Sequence, residues 1–182
     1  MAASAQGFCL FDTALGPCGI AWSLKGLAGV QLPEAHVDAT RRRMTRSFPG
    51  AREGQAPANV QAAIVRIQGL LEGSADPLLD IELDMSGVPE FNQRVYEVTR
   101  AIAPGHTLTY GEVALRIGEP GAARAVGQAL GHNPFAPVVP CHRVLEARSG
   151  AGGFSAADGV VTKLRMLDIE KAQLGSEPGL FD

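Results

Sequence analysis

The sequence predicts an α+β protein, a small mixed unit followed by a mostly helical half. Three observations predict it. Short apolar runs separated by Gly/Pro turns fill residues 7–32, and Leu79-Asp80-Ile81-Glu82-Leu83-Asp84 alternates strictly. Beyond Ser86-Gly87-Val88-Pro89 the apolar spacing becomes helical. The 182 residues suffice for one large or two small cores. We therefore divide the chain into residues 1–87, 88–174 and a flexible tail, 175–182.

Composition bounds the function classes. At 46% hydrophobic and 19% charged the chain is ordinary globular, neither disordered nor coiled-coil. No apolar run reaches the roughly 18 residues of a membrane helix, and Met-Ala-Ala-Ser-Ala-Gln-Gly lacks the basic start and long apolar stretch of a secretory signal, so secretion is not expected. Cys9, Cys18 and Cys141 are odd in number without a CxxC pair, so neither a disulfide framework nor a zinc site is indicated. A cytoplasmic monomer without metal or cofactor is the expectation. The net charge of −3 argues against a large counterion-driven affinity for a polyanion. Residues 101–165, however, hold six basic against four acidic side chains, enough to meet a phosphate backbone locally.

In order, Phe8 to Phe11, Ile20 to Leu24 and Leu27 to Leu32 read as strands, with Gly16-Pro17 at a turn. Ala39 to Phe48 reads as a helix whose Arg41, Arg42, Arg43 and Arg46 form a solvated face rather than a nucleic-acid patch. After a Pro49–Pro57 loop, Val60, Ile64, Ile67 and Leu71 mark a helix ended by Gly73, and residues 79–84 a half-buried strand. Phe91, Val95, Val98 and Ile102 make the next helical stripe, stopped by Pro104-Gly105. Thr109-Tyr110-Gly111-Glu112 fits a capping box, which places Tyr110 in the first turn of a following helix. A third helix, from Ala122 to about Leu130, turns Val126 and Leu130 inward; the pair suggests helix-turn-helix geometry. On its other face Arg124, Gly127, Gln128 and Gly131 set one long cation among small residues, with Ala123 beside them. Such a surface can approach another closely and insert a single probe.

Chemistry concentrates at Pro140-Cys141-His142-Arg143-Val144, after a short β-like run at Val138-Val139. A thiol becomes a competent nucleophile when a neighbouring base takes its proton, and His142 is adjacent. Adjacent strand residues point oppositely, so this pair needs a bend or a bridging water. The last helix carries a stripe of Val160, Leu164, Leu167 and Leu174, with Glu170 on it. A carboxylate there is costly unless paired, which suggests a Glu170–His142–Cys141 relay. The residues alone also allow a buried structural cysteine beside a surface histidine.

Together with Asn133-Pro134 upstream and Gly152-Gly153-Phe154-Ser155 downstream, this segment resembles the methylated-DNA–protein-cysteine methyltransferases. The resemblance runs in order from Phe91-Asn92-Gln93-Arg94-Val95 through Thr109-Tyr110-Gly111-Glu112 and Ala122-Ala123-Arg124-Ala125-Val126-Gly127 to Thr162-Lys163 and Glu170. It is looser in the first half, at Phe11-Asp12-Thr13, Leu15-Gly16-Pro17 and Phe48-Pro49-Gly50-Ala51. It implies a ribonuclease-H-like α/β domain followed by a winged-helix-type domain. It also implies a repair protein that takes an alkyl group from O6 of guanine, with O4 of thymine a further lesion, in double-stranded DNA and acts once.

The resemblance assigns roles. Cys141 accepts the alkyl group, and His142, oriented by Glu170, removes the thiol proton through water. Asn133 braces the turn, and Tyr110 donates to N3 of the flipped base. Arg124 fills the gap in the stack, while Ala123, Ala125, Gly127 and Tyr110 meet the minor groove. Pro140, Val144, Phe154 and Ser155 wall the base pocket. Without the resemblance, Tyr110 reads as packing at a helix start; the lesser alternative for Arg124 is a solvated helix arginine. Arg143 is expected to tie loops together, and Lys163 stays open between the site loop and a phosphate. Ala156-Ala157-Asp158-Gly159 departs from the family's Pro or Gly, which bears on tolerance of larger alkyl groups. Cys9, Cys18 and His36 lack a fourth zinc ligand. In the tail, Leu180-Phe181 is either a dock for a partner such as a replication clamp or a frayed end. Two other functions compete. Alkyltransferase-like lesion binders lack the cysteine, and a thiol hydrolase would need an oxyanion hole and would leave the helix-turn-helix unexplained.

Overall fold

The computed structural model describes residues 4–147 and 159–172. Strands β1 (Gly7–Thr13), β2 (Gly16–Ser23) and β3 (Gly26–Gln31) form an antiparallel meander. Thr13 closes the first turn: its hydroxyl donates to Gly16 O and accepts from Leu15 N. A two-residue strand, β4 (Arg52–Glu53), pairs parallel to β1, giving the order β3-β2-β1-β4. Helix α1 (Val37–Ser47) packs Met44 with Phe8, Ala21, Ala28 and Phe48 on one sheet face. His36 caps it, Nδ1 accepting from Ala39 N. The arginine-rich surface of α1 is solvated and locally paired: Arg41 meets Asp38 and Glu53, and Arg43 meets Glu34.

The other sheet face is covered by α2 (Ala58–Leu70), and its core runs without interruption into the second half. Cys18, Ile20, Trp22 and Val30 share one apolar cluster with Val60, Ile67, Val95, Tyr96, Val126, Phe135 and Val139. A register shift at Ala21/Trp22 lets Trp22 face Leu27 while Ala21 faces Gly29. This one-residue bulge is why Leu27 and Val30, three apart, enter the same cluster. The second half comprises α3 (Glu90–Arg100), β5 (Leu108–Thr109), α4 (Tyr110–Arg116), α5 (Ala123–Gly131), a 3-10 turn at Cys141–Arg143, β6 (Val144–Leu145, parallel to β5) and α6 (Val160–Ile169). The N-cap half of the capping box forms, Thr109 Oγ1 accepting from Glu112 N at 3.1 Å. Among the described residues no helix is long and apolar enough to cross a membrane.

Three sequence expectations are corrected. Residues 79–84 are not a strand; only Leu83 bridges, to Leu27. The reason is competition for the backbone: Arg100 Nη2 takes the carbonyls of Leu78, Leu79 and Ile81, and Arg66 holds Asp76 and Asp80. Val138 and Val139 are buried but lie in turns, not in a β-like run. On α6 the buried residues are Lys163, Met166 and Leu167, while Val160 and Leu164 are exposed. The predicted stripe was out of phase because a lysine can be buried there, its amine bonded to a carbonyl. Leu174, the fourth residue of that stripe, and the tail with Leu180-Phe181 lie outside the described residues.

Candidate active site

Cys141 stands at the first position of the 3-10 turn, its N–H donating to Val139 O at 2.8 Å. The turn supplies the bend that a strand would not. Asn133 braces the approach from both ends: its Nδ2 donates to Val139 O at 2.8 Å, and its Oδ1 accepts from Phe135 N at 2.9 Å. Burial pushes the Cys141 thiol up, while a hydrogen bond from Asn133 and the charge of Lys163 pull against that rise.

His142 is fully buried, and its Nε2 lies 2.8 Å from Glu170 Oε1. Burial holds the imidazole below its ordinary range against the pull of Glu170, so it is neutral at pH 7. Nε2 then carries the proton it shares with Glu170, and Nδ1 is the free lone pair. Among the described residues Nδ1 is buried with no hydrogen-bond partner. An unsatisfied buried nitrogen is costly, and here it is the basic atom of the cluster.

Glu170 ends α6. Arg143 grips it with a fork, Nε to Oε2 at 2.9 Å and Nη2 to Oε1 at 2.6 Å, while Nη1 reaches Ile102 O at 2.7 Å. Burial would raise the Glu170 carboxyl, but the bonds from His142 and Arg143 outweigh it and hold the group at about 2. Arg143, expected to tie loops together, does so by fixing the carboxylate that orients His142. Lys163, left open by the sequence, is fully buried, donates to Val144 O at 2.7 Å and lies 5.8 Å from the Tyr110 ring centroid. Burial lowers it to about 8. A lysine at a buried stripe position was the one signal available for it.

Of these groups Cys141 lines a cleft of about 800 Å³, where it meets Tyr110, Ala123, Arg124, Gly127 and Gly131; His142, Arg143 and Lys163 are buried behind it. Arg124 is exposed, and nothing lies within 4 Å of a Cβ built on Gly131. Burial raises the Tyr110 hydroxyl, which is therefore protonated at neutral pH. Ala125 is half-buried and off the cleft, one helical step round from Arg124. Pro140 and Val144 are buried and do not line it either, since Val144 sits in β6 with its carbonyl taken by Lys163. Phe154 and Ser155 lie outside the described residues. Those residues contain no cluster of three or more metal-ligating side chains.

Residues 90–172 match the model of the 6-O-methylguanine DNA methyltransferase DNA-binding domain. A methylated-DNA–protein-cysteine methyltransferase of Mycobacterium bovis is 36% identical over 171 residues, covering 94% of this chain and 96% of the relative. The crystal structure of the Mycobacterium tuberculosis O6-methylguanine methyltransferase is similar with a TM-score of 0.73 and 33% identity, covering 97% and 99% of the two chains. The structure of Mycobacterium tuberculosis OGT in complex with DNA is similar with a TM-score of 0.70, also at 33% identity, covering 91% and 92%.

Proposed function

Since the chain belongs to the methylated-DNA–protein-cysteine methyltransferases, we propose that it binds double-stranded DNA and repairs alkylated guanine by moving the alkyl group from O6 onto Cys141. The observation that carries the assignment to Cys141 is the buried His142–Glu170–Arg143 cluster, which adjoins Cys141 in the 3-10 turn and whose basic atom, His142 Nδ1, has no partner among the described residues.

His142 Nδ1 takes the thiol proton through a water, and Glu170, held by Arg143, keeps Nε2 protonated so that Nδ1 is the base. The thiolate attacks the alkyl carbon in line. A C–S bond forms, the C–O6 bond breaks, and its electron pair passes to guanine. Tyr110, protonated and at the cleft, donates toward N3 as negative charge builds on the base. The proton lost by the thiol is balanced by the one the base regains. The product thioether is stable, so each molecule acts once.

Arg124 occupies the gap in the base stack, and the small residues Ala123, Gly127 and Gly131 let α5 approach the minor groove. Unstacking costs a few kcal/mol, least at a damaged pair. The strand order 3-2-1-4, with β4 parallel to β1, supports a ribonuclease-H-like first domain. The α4–α5 pair and the short β5–β6 ladder support a winged-helix second domain, with the division near residue 87.

The test is the intact mass of the protein after mixing with excess duplex containing one O6-methylguanine. One methyl group on the peptide carrying Cys141, with no further turnover, is the expected result. Cys141→Ser should bind the duplex and gain nothing. Tight binding by the parent protein without a mass change would overturn the transfer.

A further inference from the structure

We propose that the outer edge of β3 positions the nucleophile, through a hydrogen bond from Val30 N–H to the carbonyl of Pro134. This rests on Cys141 being the acceptor. β3 is the edge strand of the sheet, so its outward N–H and C=O groups need partners. Leu27 satisfies both of its groups on the segment leaving the first half: Leu27 N donates to Glu82 O at 2.9 Å, and Asp84 N donates to Leu27 O at 2.7 Å.

In a regular strand the next outward N–H groups after Leu27 would be those of residues 29 and 31. The one-residue bulge changes the parity, so the outward N–H falls on Val30, which donates to Pro134 O at 2.8 Å. Bulges of this kind re-aim strand groups beside functional sites. Pro134 follows Asn133, whose amide bridges Val139 O and Phe135 N on the way to Cys141. Strand edge, Pro134, Asn133 and nucleophile are therefore one bonded chain. Gly29 gives room for the contact: a Cβ there would stand 3.2 Å from Pro134 O and 2.5 Å from Phe48 Cζ.

The experiment compares Val30→Pro with Val30→Ala in the full chain. Both lose the branched side chain, and only proline also removes the N–H, at the edge-strand position where a sheet tolerates it. At saturating lesion duplex we expect Val30→Pro to transfer the methyl group about tenfold or more slowly than Val30→Ala. Affinities for the duplex should agree within about twofold. A second pair, Gly29→Ala/Phe48→Ala against Phe48→Ala, presses the same carbonyl without deleting the N–H and should slow transfer about threefold. In the slowed member of either pair, iodoacetamide labelling of Cys141, read by peptide mass, should move to higher pH, because Asn133 no longer supports the thiolate. Equal transfer rates and equal labelling profiles within a pair that folds would overturn the proposal. Failure of the parent protein to gain a methyl group would instead overturn the acceptor assignment, and the labelling profiles would still judge the clamp.

Discussion

The buried charge cluster behind Cys141 and the exposed face of α5 are built on opposite principles. Glu170, Arg143 and His142 hold their side chains out of water and bonded to one another, and among the described residues His142 Nδ1 alone in this cluster has no partner. On α5 a long cation stands in solvent among side chains of almost no bulk. The first region has its geometry before substrate arrives, which is what proton transfer at fixed distance requires. The second, on the proposed reading, is completed by the DNA it approaches. Substitutions should therefore act on stability and rate in the first and on DNA affinity in the second.

The sharpest way to break this comparison is Glu170→Ala, which strands Arg143 and His142 in the interior. We expect a loss of about 3–5 kcal/mol in stability, the range for orphaning a buried charge, with transfer abolished. Chemical denaturation beside methyl incorporation checks both. A milder probe of the same cluster is acid. Glu170 falls from an ordinary value near 4.5 to about 2 in the folded chain, so its contribution is complete above 4.5 and lost as pH falls toward 2. About 3 kcal/mol should disappear across that window, and much less in Glu170→Gln measured by the same titration.

Arg124→Ala attacks the other region. Stability should stay within about 0.5 kcal/mol, while lesion capture weakens by about 1–3 kcal/mol, the order of an unstacking cost left uncompensated. Fluorescence anisotropy with matched lesion and undamaged duplexes separates the two. The smallest effect sharpens the comparison most. Gly127→Ala adds a methyl only 3.9 Å from the Tyr110 ring, an ordinary contact. Helix propensity then predicts a gain of up to about 1 kcal/mol, while the added bulk on the approach face should reduce DNA affinity. A variant that is both more stable and tighter-binding would mean that small size on α5 serves no approach.

Much of both regions was legible along the chain. The capping box at Thr109, the inward Val126 and Leu130, and the adjacency of Cys141 and His142 are local patterns, set by hydrogen-bond geometry and helical period. Glu170 was legible as a carboxylate in an apolar stripe, even though that stripe proved out of phase at Val160 and Leu164. The stripe was out of phase because it passed over Lys163, whose burial is satisfied by the carbonyl of Val144, nineteen residues away. Residues 79–84 show the same limit, since their alternation is real but Arg100 claims the carbonyls a ladder would need. β4, β5 and β6, two residues each, carry no periodicity to read.

The sequence by itself determined the class of chain, the order of its main helices and strands, and the residues able to carry nucleophilic chemistry. Those follow from local spacing and intrinsic reactivity. Tertiary structure alone decided which atoms meet: Arg143 on Glu170, Lys163 under Tyr110, Val30 on Pro134, and a single open nitrogen on His142. Each is a buried polar group, and what it costs or contributes depends on partners far away in the chain.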